Sequence, residues 1–182
     1  MTFDSPYRRG ADDGMKFGLY LTALLAGMLF GSGIAASGWL ALVLLVATPV
    51  LLWWLMLRYH RSLGPETGFG MLWLDGTLTV MFGLLIAAAF LIVYMKWIEP
   101  DFVLRQLQAI IDTNAEHPEM GLEQYATVAS NLIANGEVPS PALMASNFIV
   151  LNMMVGVVAS AVFALGITVW ARIAGRNFPQ QN

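Results

Sequence analysis

Residues 17–57 read FGLYLTALLAGMLFGSGIAASGWLALVLLVATPVLLWWLML, without one Asp, Glu, Lys or Arg. As a single helix these 41 residues would run about 60 Å, twice the thickness of a bilayer's hydrocarbon core. The stretch must therefore fold back on itself. Gly31, Ser32, Gly33, Ser37 and Gly38 supply turn residues at its middle, where reversal costs least. The reading is a tight hairpin of two membrane-spanning helices, at about residues 15–35 and 38–57. Trp39 stands at the turn, at the depth where an amphipathic indole is favoured. Pro49 in the second helix predicts a kink and a freed carbonyl, which membranes tolerate.

Two more uncharged runs follow. Gly76–Met95 is bounded by Trp73 and Asp75 at one end and by Lys96 and Trp97 at the other. It sets a third span at about residues 71–97. Val138–Ala171 is longer than a span needs. Pro139 and Pro141 mark its start as an approach, which leaves a fourth span at about residues 147–171. The expected fold is all-α: one membrane domain over residues 1–182, a bundle of four transmembrane helices.

The composition agrees. Hydrophobic residues make up 58% of the 182 and charged residues 12%, about half the charge density of a soluble domain. That is too little to coat a water-soluble globule of this size. Nine basic residues and a net charge of -3 give no footprint for a nucleic acid, so none is expected as a partner. With no cysteine there is no disulfide, no Cys-based metal site and no thiol nucleophile.

Basic residues set the orientation. With the N-terminus cytoplasmic, that side receives Arg8, Arg9, Lys16, Arg58, Arg61, Arg172 and Arg176. The other side receives Lys96 and Arg105. Such a bias places both termini and the loop between spans two and three in the cytoplasm. The first apolar stretch is too long for a removable signal and lacks a good cleavage site. Arg8-Arg9 is followed by Gly10, Ala11, Asp12 and Asp13, where a twin-arginine signal needs apolar residues.

The outer loop, residues 98–144, carries seven acids and one base. It reads as an amphipathic helical hairpin on the extracytoplasmic side. The first helix follows Pro100, with Asp101 as its cap and Phe102, Leu104, Leu107, Ile110 and Ile111 as an apolar stripe. His117-Pro118 ends it. The second covers about residues 121–134, with Leu122, Tyr125, Ala129, Leu132 and Ile133 at helical spacing and Asn135-Gly136 as its stop. Its acidic faces argue against strong binding to anionic lipid. A cap on the bundle's own end is the plainer role, and a docking surface the sharper one.

Three polar residues fall at membrane depth. Asp75 is the only acid there, and intramembrane acids are functional suspects by default. It lies about one turn inside the cytoplasmic end, however, within reach of Arg58, Arg61 or Lys16. The plainer expectation is an interfacial ion pair, so that Asp75→Asn would mainly lower stability. Asn147 and Asn152 lie on the fourth span, where amides usually join helices. Small residues recur every four positions as Ala23, Gly27 and Gly31, and as Gly156, Ser160 and Ala164, a spacing that lets helices pack closely. His117 with Glu116 and Glu119 is too few ligands for a metal. Glu66-Thr67-Gly68-Phe69-Gly70 is glycine-rich but lacks the Lys and the strand of a phosphate loop. No catalytic, cofactor or metal residue is assigned.

Several of these elements together resemble a family of small uncharacterised bacterial membrane proteins, the domain of unknown function 4199 family. The resemblance rests on the Phe17–Leu57 hairpin and Gly68-Phe69-Gly70 before the third span. It also rests on a run with Tyr94, Ile98, Pro100, Asp101 and Phe102, then the acidic Gln-containing segment and a glycine-rich last span. Members usually carry a more basic, Lys-rich C-terminus than Arg172–Asn182. The resemblance implies the topology and a bacterial inner-membrane location, and it carries over no catalytic residue.

Three functions remain in view. The first is a non-enzymatic accessory or assembly subunit that binds a membrane-protein partner or a second copy of itself. The second is a small oligomeric transporter or channel using Asp75 and Asn152. The third, least favoured, is a lipid-modifying membrane enzyme.

Overall fold

A computed structural model describes residues 6–30, 35–64 and 67–177. Within them the protein is all-helical, with no strand. Six α-helices follow in order: α1 Pro6–Phe30, α2 Ala35–Leu63, α3 Phe69–Val93, α4 Phe102–Glu116, α5 Glu123–Ala134 and α6 Pro141–Asn177. A π-helical turn, Tyr94–Ile98, extends α3, and a 3-10 turn, Pro118–Met120, separates α4 from α5.

Three of these helices are long and apolar enough to cross a membrane: Trp39–Leu63, Phe69–Ile98 and Pro141–Ile173. α1 does not reach that standard within the described residues. It contains Arg8, Arg9, Asp12, Asp13 and Lys16, and its description stops at Phe30.

The helix ends differ from those expected by physical causes that can be named. α1 begins at Pro6, nine residues before the expected 15, because proline is suited to a helix's first turn. Ser37 and Gly38, expected in the turn, lie inside α2; Gly31, Ser32 and Gly33 lie outside the described residues. α2 continues past residue 57 to Leu63 and stops at Gly64, whose φ of 74° is a left-handed conformation suited to glycine. Pro141 opens α6 and does not interrupt it. The Asp101 side chain makes no capping bond to α4, so that expectation is corrected.

The chain forms two compact units: Met1–Ala88 with Ile149–Asn182, and Ala89–Phe148. In the first, α3 is the central helix. Half of its best apolar window is buried, against 22% for α2 and 17% for α6. Glycines fix how its neighbours approach. A Cβ placed on Gly10, Gly14 or Gly18 of α1 would fall within 2.5–2.8 Å of the Cβ atoms of Leu78, Phe82 and Ile86 of α3. The matched steps of four mean that α1 and α3 run side by side in the same direction. Gly83 reciprocates, facing Phe17 and the backbone of Gly18.

α6 meets α3 in the opposite sense. The Cβ position of Gly76 lies 2.9 Å from Ser160 Oγ, and that of Gly156 lies 2.4 Å from Val80 Cγ1. α2 runs against α1, with Arg9 near Ser62 at one end and the Tyr20 hydroxyl donating to the Leu44 carbonyl at the other. Pro49 has no N–H to donate, so the neighbouring Leu45 carbonyl loses its helical donor. Trp53 packs edge-on against Phe163, joining α2 to α6.

In the second unit α4 and α5 pack on one another. Val103, Ala126 and Ala129 are buried, whereas Leu104 and Tyr125 are exposed. The two apolar stripes are thus shifted from the expected sets, each including one exposed residue. Alanines on α5 let α4 approach closely. Gly136, φ 67°, closes α5.

Candidate functional site

The first unit holds a set of buried polar side chains among its apolar helices. They are Asp13 on α1, Asp75 and Thr79 on α3, and Ser160 on α6, each 1% exposed or less. Burying such groups costs several kcal/mol unless they are paired.

Asp13 is paired. Arg58 of α2 donates to its Oδ1, and Lys16 Nζ lies 3.1 Å from the same oxygen. Arg9 Nε is 3.9 Å from Oδ2. Helical spacing places Arg9 and Lys16 on the Asp13 face, four and three residues away. The two arginines are each held a second time. Arg9 Nη1 donates to Ser62 Oγ at 3.0 Å and its guanidinium lies 5.5 Å over the Tyr59 ring. Arg58 lies 5.2 Å over Trp54. Three cations and one carboxylate therefore fasten α1 to the end of α2.

Asp75 differs. It is wholly buried, and both of its carboxyl oxygens are without a hydrogen-bond partner. Asp13, Arg9 and Arg58 are the charged groups close enough to act on it electrostatically. Of the expected partners Arg58, Arg61 and Lys16, Arg58 and Lys16 are engaged with Asp13 instead. Thr79 lies one turn along the same face, and Ser160 packs against the adjacent Gly76. Thr79 Oγ1 and Ser160 Oγ are also buried without partners. These are buried oxygens able to accept a proton or a water bridge.

The other sequence-derived residues lie elsewhere. Asn147 and Asn152 are exposed on α6. Asn152 stands among Val150, Leu151, Met154, Val155 and Val158, all more than half exposed. It does not share an interior site with Asp75. Gly156, Ser160 and Ala164 are buried on one face of α6. Ala23 is exposed, a Cβ on Gly27 would meet nothing within 4 Å, and Gly31 lies outside the described residues. The glycines that receive α3 are Gly10, Gly14 and Gly18. His117 Nδ1 is 3.1 Å from Glu119 Oε1, and no group of three His, Cys, Asp or Glu converges among the described residues.

Asp13 and the Gly10-Gly14-Gly18 stripe were missed because their neighbours are charged and so read as a flank. The signal was present: glycine at every fourth position, with Arg9, Asp13 and Lys16 at helical spacing between.

Residues 13–167 match the model of a family described as protein of unknown function, DUF4199. No curated protein and no solved structure matches the chain.

Proposed function

The chain belongs to the DUF4199 family, and from that premise we propose that it is a four-span inner-membrane protein of bacteria that binds another membrane helix. In this reading both termini are cytoplasmic and the acidic α4–α5 hairpin is extracytoplasmic. The fourth span is α1. Its support is the parallel register of Gly10, Gly14 and Gly18 on α3, which carries α1 alongside a helix long enough to cross.

The binding role rests on the outward face of α6, where Val150, Leu151, Met154, Val155 and Val158 are each more than half exposed. In a membrane this apolar face meets hydrocarbon or another helix. Asn152 lies on the same face, and polar side chains at helix–helix seams contribute about 0.5–2 kcal/mol. The protein is read as an accessory or assembly subunit and not as an enzyme. Cross-linking in native membranes followed by purification tests this. A defined partner, or a second copy, should be recovered with the native chain and lost with Asn152→Leu. Recovery unchanged by that substitution would overturn the role given to Asn152.

A second reading rests on Asp75, a buried carboxyl with no partner for either oxygen. It assigns the protein proton or ion handling. Asp75→Asn should then abolish a proton-coupled flux in proteoliposomes while the protein stays folded.

A further inference from the structure

We infer that the cavity formed by the end of α2, the start of α3 and the end of α6 binds an oxyanion of the phosphate class. The cavity has a volume of about 220 Å³ and is lined by His60, Thr67, Gly68, Thr168, Ala171 and Arg172. A water needs only about 10–15 Å³ of such space, so a tetrahedral oxyanion fits.

Among the described residues the lining has donors and no acid. Arg172 is a permanent cation whose planar fork suits phosphate oxygens. No acidic side chain pairs with Arg172 or His60 among the described residues. His60 Nδ1 is buried without a partner. The two threonines line the cavity without donating into it. Thr67 Oγ1 gives its proton to the Gly64 carbonyl at 2.8 Å, and Thr168 Oγ1 gives its own to Ala164 at 2.7 Å.

The third wall is backbone. Gly68 immediately precedes α3, and the Leu72 N–H bonds back to its carbonyl at 3.3 Å. The amides of Phe69, Gly70 and Met71 come before that bond and point out of the helix end. A Cβ on Gly68 or Gly70 would meet nothing within 4 Å, so an anion can approach this backbone closely. The glycine-rich Thr67–Gly70 stretch lacks a phosphate loop's lysine, and Arg172 of α6 supplies the cation from across the cavity. A lipid phosphodiester headgroup and free phosphate share this chemistry.

The test uses the full chain. Inorganic phosphate is titrated against protein in non-ionic detergent, with chloride at matched ionic strength as control, and thermal unfolding and phosphorus NMR line width are followed. In parallel, protein in phosphatidylcholine nanodiscs is compared with protein in discs containing phosphatidylglycerol. Saturable stabilisation by phosphate identifies a free anion, and stabilisation by phosphatidylglycerol alone identifies a lipid headgroup. Either effect should weaken about tenfold or more in Arg172→Gln and in His60→Gln. It should return in part with Arg172→Lys and persist in Arg61→Gln, which leaves the cavity lining intact. No saturable effect in either arm, or an equal effect in every variant, would overturn the inference.

Discussion

The Arg58 guanidinium on α2 donates to the Asp13 carboxylate on α1, across forty-five residues of sequence. That contact joins two helices at the level where the apolar runs begin. It also engages with Asp13 one of the two cations, Arg9 and Arg58, that act on Asp75.

Asp13→Asn should destabilise the protein by about 2 kcal/mol. This is below the roughly 3–5 kcal/mol of a fully buried pair, because the Arg58 side chain is 37% exposed and partly solvated. Arg58→Gln should cost a similar amount. Denaturation of the two single variants and the double variant should give a double-variant loss smaller than the sum. Strict additivity would show that the two side chains do not interact.

Asp75→Asn should leave stability within about 1 kcal/mol of the native protein, or raise it. No ion pair is lost, and a like charge near Asp13 is removed. The sequence alone suggests the opposite, through an interfacial ion pair with Arg58, Arg61 or Lys16. A loss beyond about 2 kcal/mol in thermal or denaturant unfolding would mean that a bridging partner holds the carboxyl.

Gly14→Ala should destabilise by about 1–3 kcal/mol through overpacking, since the new Cβ would lie 2.5 Å from Phe82 Cβ and 3.2 Å from the Thr79 carbonyl. Gly27→Ala places its methyl in open space and should be neutral or stabilising by up to about 1 kcal/mol. Equal effects in the two variants would contradict the register of α1 on α3.

The spans were readable because charge is absent from them, and a gap in charge is a one-dimensional signal. The second, third and sixth α-helices follow directly from such gaps, as does the hairpin from its Pro and Gly signals. Which face of α1 packs on α3 is a three-dimensional question. Gly10, Gly14 and Gly18 have the right spacing, but so do Ala23, Gly27 and Gly31, and only the position of α3 separates them. Likewise Asp75 and Asn152 look equivalent as polar residues in apolar runs. One faces the helix core and the other faces outward, a difference set by the rotation of α3 and α6.

The four-span arrangement is the claim on which the functional reading depends, and the absence of native cysteine makes it directly measurable. Single cysteines at Asp12, Ser62 and Ser130 would be labelled with a membrane-impermeant maleimide, before and after the membrane is opened. The account predicts that the Ser130 position labels in intact cells, while Asp12 and Ser62 label together and only after opening. Labelling of the Asp12 and Ser62 positions from opposite sides would contradict it, because α1 would then not cross the membrane.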